Sequence, residues 1–255
     1  MATQGHSRDV VVLSGKRTGF GTFGGSLKDF TATDLGVFSS KAAIEAAAKG
    51  SGRVFAIPAD VSTAEGCERA YAAAVDAMGQ VDVLVNNAGS SARMPFAEVS
   101  DELWQSDLDL KLFAAIRLCR LAVPPMRARK WGRVINVLNT GAKAPPAQGA
   151  PTAVTRAAGM ALTKVMAAEA VVDNVLVNAL LVGRIESDQW ERRHAAENKG
   201  RALADFYAEM GKGLPLGRLG TAEEFANAAC FLASEQGSYI AGVALNVDGG
   251  LSPVV

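Results

Sequence analysis

Glycines at 15, 19 and 21 fall within Ser14-Gly15-Lys16-Arg17-Thr18-Gly19-Phe20-Gly21, directly after the apolar run DVVVLS (9–14). That spacing fits a phosphate cradle, in which glycines let the backbone approach a pyrophosphate and a helix N-terminus favours its charge. Gly24 and Gly25 follow, and the helical pattern starts only near residue 32, so the helix end stands off from the loop. Asn87, Ala88 and Gly89 end a second apolar run, VDVLVNNAG (81–89), where a small turn lets a dinucleotide approach the backbone. His194 lies near Trp190, Arg192 and Arg193 and reads either as a general base or as a solvated surface residue. Tyr207 offers a phenol, or packs in an amphipathic helix. Cys67, Cys119 and Cys230 sit in apolar helical stretches without metal-ligand spacing, so they read as core thiols and no metal site is expected.

The elements that must position these groups alternate along the chain. Strands are expected at 9–14, 53–58, 81–89, 132–138, 174–183 and 244–250, and helices at 31–49, 63–78, 101–129 and 152–171, with Thr31 or Thr33 as a cap of the first. Continuous apolar strands separated by helices indicate a parallel sheet covered on both faces. The expected fold is therefore α/β, a doubly wound, Rossmann-type sheet in three α/β/α layers, with ligands at the C-terminal ends of the strands. One domain over 1–255 is expected, with KGSG (49–52) joining a segment of different character to the rest.

Lys+Arg and Asp+Glu balance at 26 each, which gives no electrostatic reason to bind nucleic acid or an anionic membrane. The 49% of hydrophobic residues suffice for a large core, yet no long apolar stretch lacks charge, so no membrane span is expected. The polar start MATQGHSRD carries no leader pattern, and a cytoplasmic protein is expected.

Residues from about 52 to the end resemble the short-chain dehydrogenase/reductase family. The likeness is carried by ADVS (59–62), NNAG (86–89), VNALLVGRIESD (177–188), LPLGRLGTAEEFANAACFLAS (214–234) and YIAGVALNVDGG (239–250), in the family's order and spacing. The stretch VVVLSGKRTGFGTFGGSLKDFTATDLG (10–36) instead resembles the start of a thiolase, although that family's cysteine nucleophile lies beyond the matched residues. The dehydrogenase resemblance implies NAD or NADP as cofactor, with Asp60 and Val61 beside the adenine, Asn87, Ala88 and Gly89 at the strand end, and Gly183, Ile185 and Ser187 on the far side. Asp60 lies only 39 positions after Gly21, with one helical pattern between them, so the strand that would select NAD or NADP is missing from the pattern.

Family members use a tyrosine, a lysine four residues later, a serine thirteen residues before the tyrosine, and an asparagine on the preceding helix. The matching positions here are Thr152, Arg156, Asn139 and Lys111, and all four have changed. A threonine hydroxyl is too weak an acid to replace a phenol. Arginine stays protonated and can hold a ribose but cannot relay a proton. Asn139 can still donate to a carbonyl oxygen. Lys111 is a new titratable group, able to act as acid or base if buried near substrate, or else solvated or paired with Asp107 or Asp109.

The resemblance thus implies an atypical NAD(P)-dependent oxidoreductase acting on a carbonyl or alcohol, of 3-oxoacyl reductase type. The alternative is a catalytically inactive binding or oligomer-partner protein. A dehalogenase-like reading rests on Arg156 alone. Residues 184–212 match the family's substrate-covering lid, where Phe206, Tyr207 and Met210 suit a moderately hydrophobic substrate. A homodimer or homotetramer through helices 101–129 and 152–171 and the last strand is implied by analogy.

Overall fold

The computed structural model describes residues 10–13, 54–197 and 200–255. The glycine loop, the expected helix 31–49 and most of the thiolase-like stretch lie outside the described residues. The strands are β1 (Val10–Leu13), β2 (Val83–Asn86), β3 (Arg93–Met94), β4 (Gly132–Asn139), β5 (Ala150–Pro151), β6 (Val175–Val182) and β7 (Ala244–Val247). The helices are α1 (Ala64–Met78), α2 (Asp101–Leu108), α3 (Ala114–Ala128), α4 (Thr152–Ala170), α5 (Asp188–Glu197), α6 (Leu203–Gly211) and α7 (Ala222–Ala233). Five strands form one sheet in the order β1-β2-β4-β6-β7, while β3 and β5 form a short antiparallel ribbon. The fold is Rossmann-like α/β, as the strand–helix alternation led us to expect.

The chain divides into two compact units. One comprises the described residues up to Ser91, Ser100–Val134 and Val172–Val175; the other comprises Ala92–Val99, Ile135–Val171 and Leu176–Val255. In the first unit β1 runs parallel to β2, with Val10 opposite Val83 and Leu13 opposite Asn86. Helix α1 starts where Thr63 accepts the Gly66 amide at 3.0 Å, and ends at Gly79 with φ 85°. In the second unit β6 runs parallel to β7, Ala179 opposite Ala244 and Val182 opposite Val247. Leu138, Ala142, Ala179 and Leu181 form a buried cluster there, joined by Met160 and Ala244. Burial on both faces explains why β4 and β6 read as largely apolar runs.

Three expectations are corrected. Residues 54–58 form no strand, and β1 pairs directly with β2, so among the described residues no strand stands beside that extended segment. The helix expected over 101–129 is interrupted by a π-turn at Asp109–Phe113, which the smooth apolar spacing does not reveal. Cys67 and Cys119 are buried, but Cys230 is exposed rather than in the core.

Lys143, in the turn after β4, sends its ammonium to the carbonyl of Ala244 at 2.6 Å. The carbonyls of Val243 and Val247 point towards β6, accepting from Ala179 and Gly183. Carbonyls alternate along a strand, so that of Ala244 points to the outer edge of β7.

Candidate active site

In the second unit the site is built where α4 lies against β4. Asn136 donates to the Thr163 hydroxyl at 2.9 Å, and that hydroxyl bonds back to the Gly159 carbonyl at 2.8 Å. A Cβ on Gly159 would sit 2.9 Å from Leu138 Cδ2, so glycine lets helix and strand approach closely. One turn earlier, Arg156 Nη1 donates to the Val137 carbonyl at 2.9 Å. These contacts fix the start of α4 against the C-terminal end of β4, where ligands bind in sheets of this type.

Asn139 is the last residue of β4. Its Oδ1 is buried and has no hydrogen-bond partner. A Cβ placed on Gly141 would lie 3.1 Å from that oxygen and 3.6 Å from Ala153 Cβ, so the carboxamide faces the first turn of α4. A buried acceptor left open loses free energy, about 1–3 kcal/mol, unless something else satisfies it. The arrangement can therefore accept a hydrogen bond from a hydroxyl at Oδ1 and donate one from Nδ2 to a carbonyl oxygen.

Thr152 is buried and already engaged: its Oγ1 accepts the Ala92 amide at 3.0 Å and its own amide bonds the Ala92 carbonyl at 3.4 Å. The residue at the tyrosine position thus closes the β3–β5 ribbon. Arg156 is half-buried, a fixed cation that cannot release a proton. The structure brings Asn139, Thr152 and Arg156 to one end of this unit.

Gly183 follows β6, and a Cβ there would meet Asp248 Cα and Cβ at 2.5 Å each, so this position admits only glycine against the last turn. Ile185 forms a parallel bridge with Gly220, and the Ser187 carbonyl opens α5 by accepting from Trp190 and Glu191. In the lid, His194 Nε2 lies 2.8 Å from the Arg201 carbonyl and its ring tilts on Phe206 at 5.4 Å, so it ties the connection between α5 and α6. Tyr207 lines an open cavity of about 370 Å³ with Glu186, Ala208, Arg218, Leu219, Thr221 and Glu224. None of the four positions singled out by the resemblance lines that cavity.

In the first unit Lys111 lies within the π-turn and forms an ion pair with Asp107, one helical turn earlier. Their side chains are 1% and 2% exposed, so the paired reading holds and the solvated one does not. Asp60 is exposed and accepts from the Ser62 amide and hydroxyl at 3.0 and 2.7 Å, shaping the turn into α1, while the Val61 carbonyl takes the Cys67 thiol at 3.2 Å. Asn87 and Ala88 are half-buried and Gly89 exposed in the loop after β2. Asn86 donates to Cys119 Sγ at 3.4 Å; burial pushes that thiol up to about 12. Gly15, Gly19 and Gly21 lie outside the described residues. Sequence reasoning missed Arg184, at the start of the segment read as a lid, and the Asn136–Thr163 tie, whose two polar residues lie inside segments read as strand and helix.

Residues 29–252 match a family model described as enoyl-(acyl carrier protein) reductase. The chain is similar to the monensin polyketide synthase putative ketoacyl reductase of Streptomyces virginiae, 37% identical over 187 residues, 70% of each chain. It is also similar to the 3-oxoacyl-[acyl-carrier-protein] reductase FabG of Chlamydia pneumoniae, 34% identical over 213 residues, 83% of this chain and 82% of that protein. Among solved structures it resembles L-sorbose reductase from Gluconobacter frateurii complexed with NADPH and L-sorbose, at TM-score 0.79 and 32% identity over 86% of this chain and 84% of that one. It also resembles an NADPH-bound short-chain oxidoreductase from Pseudomonas aeruginosa PAO1 containing an atypical catalytic center, at TM-score 0.77 and 33% identity over 87% of this chain and 84% of that one.

Proposed function

The chain belongs to the short-chain dehydrogenase/reductase family of NAD(P)-dependent oxidoreductases, and from that premise we propose that it interconverts a carbonyl and an alcohol on a small molecule by atypical residues. The observation that carries this reading is the open carboxamide of Asn139 at the end of β4. Ketoacyl reductases among the relatives favour a substrate of 3-oxoacyl type. The Pseudomonas structure, NADPH-bound with an atypical catalytic center, supports the reading that an atypical centre is compatible with cofactor binding.

NAD or NADP, when bound, supplies or accepts the hydride at the carbonyl carbon. The residues at its nicotinamide end fit such a group: an acceptor without a partner at Asn139 and a permanent cation at Arg156. Asn139 Nδ2 holds the carbonyl oxygen, and Oδ1 receives the hydroxyl of the alcohol, so one side chain serves both directions. Arg156 holds ribose hydroxyls. Lys111, the titratable group of the four, is assigned the proton, with Asp107 steadying its ammonium. Thr152 shapes the site and transfers nothing. Gly15, Gly19, Gly21, Asp60, Val61, Asn87, Ala88, Gly89, Gly183, Ile185 and Ser187 are proposed as the cofactor contacts.

Homodimers or homotetramers in the cytoplasm, and a thiolase-like origin for the first 50 residues, belong to the same reading. Among the described residues no helix is long and apolar enough to cross a membrane. Titration with NADH and NADPH tests the function. Binding tighter than about 100 μM raises the melting temperature at millimolar cofactor, because a ligand of the native state alone stabilises it. No shift with either overturns the proposal.

A further inference from the structure

Arg184 directly follows Gly183 at the C-terminal end of β6, in the loop that carries Ile185 and Ser187. It is exposed, and among the described residues its guanidinium has no carboxylate partner. The guanidinium lies over the ring of Trp190 on α5, with Cζ 5.6 Å from the centroid. Arg193 approaches the same ring at 5.9 Å, so one indole carries two guanidinium groups.

The neighbouring cations are committed. Arg193 pairs with Glu197 at 3.1 Å, and Arg201 with the same carboxylate at 3.5 Å. Arg218 is held by both oxygens of Glu224 at 2.9 and 2.6 Å, and the charge of Glu186 bears on Arg218. Lys143 is spent on the Ala244 carbonyl. Arg184 is thus a cation left over, held by an aromatic face that restrains its stem without using its N–H donors. A planar fork of donors in that state is suited to a carboxylate or phosphate. Its place at a strand end puts it where ligands of such sheets bind.

We propose that Arg184, seated on Trp190, is a specificity-determining residue that recognises an anionic group, carboxylate or phosphate, on the substrate. The role towards a substrate rests on the oxidoreductase reading, but the anion preference itself does not depend on cofactor.

The test measures binding of hexanoate against methyl hexanoate, and of hexyl phosphate against 1-hexanol, by calorimetry with and without NADPH. We expect at least one anion to bind about tenfold or more tighter than its neutral counterpart, a difference of about 1.4 kcal/mol. Whichever anion gains more identifies the group recognised. Arg184→Ala should erase the preference while leaving NADPH affinity unchanged, and Arg184→Lys should keep part of it. Trp190→Leu should weaken it several-fold by freeing the guanidinium. Equal binding of anion and neutral compound, or a preference that survives Arg184→Ala, overturns the proposal. Loss of NADPH affinity in Arg184→Ala also overturns it, because the residue then serves the cofactor. An intact anion preference in a protein that binds neither NADH nor NADPH supports the anion site and removes the oxidoreductase reading alone.

Discussion

Thr152 and Ala92 hold each other from both sides, hydroxyl to amide at 3.0 Å and amide to carbonyl at 3.4 Å. The side chain at the tyrosine position therefore works as a clasp. Thr152→Val keeps the shape but leaves the half-buried Ala92 amide unmatched, at a cost of about 1 kcal/mol. Thr152→Ser keeps the bond and should lie close to wild type. Urea unfolding curves of the two variants separate these outcomes.

Asn139 should dominate turnover. Asn139→Ala removes the donor to the developing oxyanion, and kcat/KM for carbonyl reduction should fall about a hundredfold. Asn139→Ser, which keeps a hydroxyl donor, should lose less. Asn139→Asp offers only acceptors when ionised and should be the worst of the three. Steady-state rates at saturating NADPH give the ranking.

Lys111 and Asp107 form a pair excluded from water. Removing one partner strands the other charge, so Lys111→Met should destabilise the fold by about 3 kcal/mol or more. The double variant Lys111→Met, Asp107→Leu should recover much of that, because it leaves no buried charge. A thermal melt of both variants decides; equal losses would mean that the pair is not coupled.

Glu224 carries a pH dependence. The Arg218 guanidinium, helped by the Thr221 amide, holds its carboxyl at about 2 against an ordinary 4.5. The folded value lies below the unfolded one, so the stabilisation is complete above about 4.5 and fades as pH falls towards about 2. Glu224→Gln should melt below wild type at neutral pH, and the gap should close across that interval. The site is exposed, so added salt should narrow the gap as well.

Thiol chemistry should distinguish the three cysteines. Burial raises the thiols of Cys67 and Cys119, the latter to about 12, whereas Cys230 is exposed. A thiol reagent at pH 8 should label Cys230 first in native protein, as peptide mass spectrometry would show. The other two should react on unfolding.

Strand and helix order was legible because burial on both faces writes itself as apolar runs such as VINVL in β4 and VLVNALLV in β6. Three features were not. The segment 54–58 has a strand's composition, but pairing depends on what lies beside it. The π-turn leaves the spacing of apolar residues almost unchanged, since Lys111 occupies the inward position between Asp107 and Ala114. Cys230 follows an apolar pattern on α7 whose outer face is also apolar, so periodicity could not say which side it faced. At the site, the family resemblance pointed to Asn139, Thr152, Arg156 and Lys111, but not to their states. Whether a carboxamide is left open or a hydroxyl is already engaged depends on partners far away in the chain, as Ala92 is for Thr152.

The ammonium of Lys143 on the outward carbonyl of Ala244 bears on what the edge of β7 can accept. An unpaired strand edge is a template on which any extended chain can lengthen the sheet. Here one rung of that template is already taken by a charged side chain that a newcomer would have to evict. Strand addition along β7 is disfavoured at that rung, which guards against the runaway growth of the sheet.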